Sequence, residues 1–184
     1  MNLKSLDKIK EKVISCTKCD LCHDRTNSVP GKGRKDAEII FIGEAPGRSE
    51  DKHGEPFVGA AGKKLSIALE HAGITRDSVY ITNVVKCRPP KNRVPTQNER
   101  DACSEYLESE ISLIKPKVIC IMGNTAYNSL LGGNNITKNR GKIVTKNGRQ
   151  YFLTVHPAAA IYNQELLKVL KKDMKKLVEI ISER

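Results

Sequence analysis

Four short apolar runs separated by helix-periodic segments constrain this chain more than any other feature: Glu38–Gly43 (EIIFIG), Val79–Val84 (VYITNV), Lys117–Met122 (KVICIM) and Tyr151–Val155 (YFLTV). Each is too short for a buried helix and is bounded by turn residues, so each reads as a strand buried on both faces. Between them the apolar spacing changes to that of helices. Leu65, Ala68, Leu69 and Ala72 form one face of a helix from about Ala60. Thr96-Gln97-Asn98-Glu99 is a capping box opening a helix to about Lys115. Leu167, Leu170, Met174, Leu177, Val178 and Ile181 stripe a last helix from about Gln164. Strands alternating with helices predict an α/β fold, a three-layer α/β/α sandwich around a central, mostly parallel four-stranded sheet. One domain spanning residues 1–184 is expected from the length. A hairpin turn at Lys146-Asn147-Gly148-Arg149 joins Ile143–Thr145 to the last strand. A short helix over residues 3–15, with Leu3, Leu6, Ile9 and Val13 on one side, leads into Cys16.

A parallel sheet of this kind binds ligands beyond the carboxyl ends of its strands, so the residues there matter most. They are Glu44–Asp51, Asn83–Arg93, Gly123–Thr125 and His156–Asn163, a set rich in carboxylate, amide and imidazole groups. The loop after the first strand runs about fifteen residues, longer than a plain connection needs. It has neither the glycine spacing nor the Lys-Ser/Thr of a nucleotide-binding loop. Its Glu44, Glu50 and Asp51 could form a solvated acidic turn, a divalent-metal site or part of an active site. Phe57, between Pro56 and Gly59, is a candidate face for a planar ligand.

Charge narrows the partner. With 32 basic and 21 acidic residues the net charge is +11, which favours a polyanion. Trp is absent and aromatic residues make up 4%, too few for an extended base-stacking platform. A base recognised here is expected to enter a pocket singly. Arg88, Lys91 and Arg93 neighbour the strand ends and are the phosphate candidates. Lys168, Lys171, Lys172, Lys175 and Lys176 on the last helix read as a solvated face, and Arg140, Lys142, Lys146 and Arg149 are further basic positions. Met1–Lys12 lacks the continuous apolar run of a signal peptide, and no stretch is long enough to cross a membrane, so a cytoplasmic location is expected.

Six cysteines in a reducing compartment call for metal ligation or burial rather than disulfides. Cys16-x2-Cys19, Cys87 and Cys103 form a four-thiolate set that suits an iron–sulfur cubane or, alternatively, zinc. Cys22 continues the x2 spacing and competes as a ligand. Cys120, inside an apolar strand, belongs to the core. With zinc, the chain would read as a non-enzymatic nucleic-acid module; with Glu44, Glu50 and Asp51 as metal ligands, as a phosphohydrolase.

The loop GEAPGRSEDKHGEPFVGAAG (Gly43–Gly62), the segment ITNVVKCRPPKNRVPTQNE (Ile81–Glu99), the four cysteines and VHPAAAIYN (Val155–Asn163), in that order and spacing, resemble the iron–sulfur uracil-DNA glycosylases, family 4 of the uracil-DNA glycosylase superfamily. The resemblance implies hydrolysis of the N-glycosidic bond of deoxyuridine in DNA, with the base flipped into a pocket, free uracil released and an abasic site left. By similarity, Gly43 and Ala45 line the pocket with backbone, Phe57 stacks on uracil and Asn83 reads its edge. His156 stabilises charge on the leaving base. Glu44 and Glu50 position water, with Glu50 alternatively guarding uracil C5 against thymine's methyl group. Ile161 wedges into the gap left by the flipped nucleotide. The resemblance also implies a 4Fe-4S cluster on Cys16, Cys19, Cys87 and Cys103, and turnover by water, because the Lys-Arg-Arg-Ile-His insertion of a related DNA-trapping group is missing. A monomer is expected, with uracil-containing DNA as partner and a replication clamp as a candidate protein partner.

Overall fold

The structure, a computed structural model, describes residues 4–183; Leu3, assigned by periodicity to the first helix, lies outside them. In chain order the elements are α1 (Leu6–Ile14), α2 (Leu21–Asp24), β1 (Lys32–Gly33), β2 (Ile39–Gly43), α3 (Arg48–His53), α4 (Ala60–His71), β3 (Tyr80–Asn83), α5 (Gln97–Ile114), β4 (Val118–Met122), α6 (Asn124–Leu131), α7 (Ile136–Asn139), β5 (Ile143–Lys146), β6 (Arg149–Thr154) and α8 (Gln164–Ser182).

The sheet has the order β1-β3-β2-β4-β6-β5. Its centre, β3-β2-β4-β6, is parallel throughout. The sequence predicts four strands; the described residues form six, because an antiparallel strand closes each edge. The β5–β6 hairpin turns where its sequence predicts, with Asn147 and Gly148 both left-handed (φ 51 and 73), as a two-residue turn between twisted strands requires. The other edge strand, β1, is two residues long and carries no hydrophobic pattern by which to detect it.

Alternation along each strand divides the core in two. Ile40, Ile42, Ile119, Ile121, Tyr151 and Leu153 pack with Leu107, Ile111 and Ala126 of α5 and α6. Phe41, Ile81, Cys120, Met122 and Phe152 pack with Leu65, Leu69, Leu170, Met174 and Leu177 of α4 and α8. Cys120 is fully buried there, as expected. The N-terminal helix lies outside these layers, with Ile9 and Val13 against Tyr106 of α5. The Thr96–Glu99 capping box forms, and Arg93 adds a bidentate pair to Glu99 (2.6 and 2.8 Å). That pair, with the Thr96 amide, draws the Glu99 carboxyl down to about 2.

The long loop after β2 is not irregular throughout, since α3 occupies its middle. Asp51, buried in α3, accepts from the amides of Thr26 (2.9 Å) and Asn27 (3.3 Å). It therefore ties this loop to the N-terminal segment and faces away from the strand-end cavity.

Candidate active site and cysteine cavity

Beyond the carboxyl ends of the parallel strands lies a cavity of about 670 Å³, lined among others by Glu44, Ala45, Glu50, Phe57, Asn83 and His156. Residues from three separate strand ends and one loop thus converge on a single space. Its volume lies within the range of small-molecule pockets. Thr125 and Val94 also line it. Thr125 falls in the strand-end set Gly123–Thr125 read from the sequence; Val94 lies outside it, because a lone valine between Arg93 and Pro95 has no pattern.

Two polar atoms at this cavity, Asn83 Oδ1 and His156 Nε2, are buried and have no hydrogen-bond partner among the described residues. A buried polar atom left unpaired costs about 1–3 kcal/mol, so both are poised for a ligand. The histidine's tautomer follows from its other nitrogen. Nδ1 accepts from the Ala158 amide (3.1 Å), so the proton of the neutral ring sits on Nε2. Although the residue as a whole is half-buried, its Nε2 is sealed from solvent. Burial, opposed only by the negative charge of Glu50, pulls its pKa from 6.5 down to about 4. The ring is therefore a neutral donor at physiological pH.

Glycines allow this crowding. At Gly43 a Cβ would lie 2.5 Å from Phe57 Cζ and 2.6 Å from Asn83 Oδ1. Gly123, left-handed at φ +92, would place a Cβ 2.9 Å from that of His156. The Phe57 and His156 rings stand 5.7 Å apart, tilted by 34°.

Phe57 itself is left-handed (φ 53), a conformation that costs a non-glycine residue about 1 kcal/mol or more. The neighbouring backbone enforces it. Glu50 Oε1 accepts from the amides of Val58 (3.0 Å) and Gly59 (2.8 Å), and its Oε2 from Gly47 (3.1 Å). Arg76 donates to the Pro56 carbonyl (2.7 Å) on the other side. Glu50 is thus saturated by backbone donors. Glu44 is not: Thr125 Oγ1 donates to its Oε2, and its Oε1 has no protein donor among the described residues.

Of the basic candidates, Arg88 donates to Asn92 Oδ1 (2.7 Å), Lys91 is exposed, and Arg93 lines the cavity while paired with Glu99. Ile161 lines the cavity and is followed by Tyr162, 96% exposed. Arg140 and Arg149 are engaged elsewhere, with Asp173 and Glu108.

The second cavity is lined by five of the six cysteines, Cys16, Cys19, Cys22, Cys87 and Cys103, together with Arg25, Lys86 and Tyr106. Three segments remote in sequence meet there. Burial raises the Cys19 and Cys87 thiols and pushes Cys103 up to about 11. Arg25 Nη1 donates to Cys87 Sγ (3.0 Å), a contact suited to a thiolate. Among the described residues no group of three or more His, Cys, Asp or Glu side chains is arranged to hold a metal ion. No helix among the described residues is long and apolar enough to cross a membrane.

A family model described as the uracil DNA glycosylase superfamily matches residues 30–181. The chain is similar to a type-4 uracil-DNA glycosylase of Sulfurisphaera tokodaii, at 53% identity over 97% of this chain and 86% of that protein. It is also similar to the type-4 enzymes of Archaeoglobus fulgidus (44% identity, covering 99% and 96%) and Thermotoga maritima (43%, covering 94% and 93%).

Proposed function

The chain belongs to the uracil-DNA glycosylase superfamily, and on that premise we propose that it excises uracil from DNA by hydrolysing the bond between base and deoxyribose. The observation that carries the proposal is the pair of unpartnered buried atoms, Asn83 Oδ1 and His156 Nε2, in one cavity beside Phe57. Uracil complements them. Its N3–H donates to Asn83 Oδ1, its O4 accepts from the same amide, and its O2 accepts from His156 Nε2–H, with the ring against Phe57. Cytosine presents the reverse pattern at N3 and N4 and would leave the amide mismatched in a closed pocket, which discriminates strongly.

As the C1′–N1 bond breaks, its electron pair passes to the base and negative charge grows on O2. A neutral imidazole already aimed there stabilises that charge without reorganising. The deoxyribose becomes cationic at C1′ and is attacked by water. Glu44, with Oε1 open, would orient that water and take its proton. Glu50, clamped by three amides, supplies negative charge near the sugar and keeps the Phe57 loop in place; whichever group faces uracil C5 must leave no room for thymine's methyl. Ile161, which lines the cavity, would serve as the wedge that fills the vacated place in the duplex, and Arg88, Lys91 and Arg93 are the candidates for phosphate contacts.

Cys16, Cys19, Cys87 and Cys103 would hold a 4Fe-4S cluster, which when bound supplies a covalent tie between the N-terminal segment, the Cys87 loop and α5. The chemistry of the donors fits it: all are sulfur and line one cavity, with Cys87 and Cys103 buried and Cys16 and Cys19 partly so. Cys22, on the same cavity, is the spare thiol.

The test is a uracil-containing oligonucleotide treated with the protein and then with alkali. Cleavage at the uracil is expected, with Asn83→Ala and His156→Ala each slowing it by roughly 100-fold or more. Unchanged rates in both folded variants would remove the mechanism.

A further inference from the structure

The side chain of Asn83 makes no hydrogen bond to protein among the described residues, although the residue is 1% exposed and is the proposed reader of the base. Something other than its own polar contacts must therefore aim it. We propose that Lys86 is a positioning residue for base recognition, its buried ammonium fixing the carbonyl end of β3 and so the direction of the Asn83 amide. The inference rests on the reading of Asn83 given above.

Lys86 and Glu110 form a wholly buried ion pair (2.7 Å), with side chains 1% and 0% exposed. The ammonium has three protons to place, and three acceptors surround it: Glu110 Oε2, Thr82 Oγ1 (2.5 Å) and the Asn83 carbonyl (3.0 Å). Glu110 is equally satisfied. It accepts from the Gly31 amide (3.0 Å), the Tyr80 hydroxyl (3.2 Å) and Thr82 Oγ1 (2.9 Å). Apart from Glu110 itself, which α5 contributes, every partner in the network belongs to β3, to the segment after it, or to the edge that flanks it.

Stability does not explain such a pair. Desolvating two charges consumes most of their attraction, and apolar side chains of similar volume commonly serve a core as well or better. What apolar side chains would not do is hold the Asn83 carbonyl at the last residue of β3. Lys86 holds that carbonyl, and Gly43 lies so close that a Cβ there would come within 2.6 Å of Asn83 Oδ1, so a shift of the backbone at Asn83 would displace the amide in a crowded place. An error of about 1 Å in such a group can cost on the order of 100-fold in rate.

Lys86 also lines the cysteine cavity and precedes Cys87, so a test must separate a role toward Asn83 from one toward the cysteines. The variant of choice is K86M/E110Q in the full-length, cluster-loaded protein, which removes both charges while keeping side-chain length and an acceptor at position 110. Visible absorption per protein and DNA affinity are expected to match the parent, while single-turnover uracil release falls about tenfold. In an N83A background the same two changes are expected to alter the rate less than about twofold, because the effect passes through Asn83. A crystal structure of K86M/E110Q should show the Asn83 amide rotated or spread over several rotamers. If the double variant does not fold, T82V removes one acceptor of the ammonium and is read by the same cycle and the same structure, with a smaller effect.

An unchanged rate in the folded variant, an equal loss in both backgrounds, or a rate that falls only in proportion to lost visible absorption overturns the proposal. So does a single, unmoved Asn83 rotamer, whatever the activity. Failure of the parent protein to release uracil would instead refute the glycosylase reading, and the Asn83 rotamer would still decide the role of Lys86.

Discussion

Acidification is the sharpest probe of the site, because the structure predicts that the rate will not respond where an ordinary histidine would. His156 is drawn from 6.5 to about 4 by burial. Protonation must place a second hydrogen on Nδ1, which now accepts from the Ala158 amide, so the charged ring loses that bond as well as its hydration. At pH 5 an imidazole with a pKa of 6.5 would be only about 3% neutral, whereas one at 4 remains about 90% neutral. Single-turnover release of uracil from a short oligonucleotide should therefore stay within about twofold from pH 7.5 to 5, then fall as pH passes through 4. The same shift acts on folding. The unfolded chain takes up the proton first, so this contribution to stability is complete above 6.5 and declines as pH falls toward 4. Over that window it amounts to roughly 3 kcal/mol, at about 1.4 kcal/mol per pH unit. Urea melts at pH 7 and 5 measure the decline, and NMR titration of the His156 ring measures the pKa directly. A rate that drops about fivefold between pH 6.5 and 5.5 with the protein still folded, as an imidazole of pKa 6.5 would give, would show that the ring is hydrated and charged, and would refute the neutral-donor argument.

Three further outcomes are expected. Glu44→Gln should depress the single-turnover rate with little change in melting temperature, whereas Glu50→Gln should first destabilise, by about 1–3 kcal/mol, since an amide NH2 would face backbone donors; urea melts beside rates distinguish them. Gly62→Ala would bring a Cβ within 1.8 Å of the Phe57 carbonyl, so a stability loss of about 2 kcal/mol or more and a displaced Phe57 platform should appear in melts and in uracil affinity. Cys87→Ser should bleach the visible absorption of the purified protein and lower its melting temperature, and retention of full colour would remove Cys87 from the ligands.

Much of the fold was legible because it rests on local rules. The four central strands are continuous apolar runs, as strands buried on both faces must be, and the Thr96–Glu99 cap and the Asn147-Gly148 turn are short-range signals. What escaped was weakly encoded. Two-residue β1 has no periodicity to read, and α3 hides in a stretch of charges and glycine. The residues at the strand ends were identified because a parallel sheet gathers ligands there, and the structure brings Glu44, Phe57, Asn83 and His156 around one cavity. Their division of labour was less visible. Glu44 and Glu50 look alike in sequence, yet one is capped by three amides and the other has an open oxygen.

By itself, the order of residues determined the element types, the sheet's parallel centre and the kinds of group at its carboxyl edge, since hydrophobic period and turn chemistry act over a few residues. Only the tertiary structure decided which nitrogen of His156 carries the proton, that Asp51 turns away from the cavity, and that Lys86 and Glu110 meet beneath Asn83. Each depends on atoms from segments far apart in the chain, and the burial that sets their charge and hydrogen bonding exists only once the layers have closed.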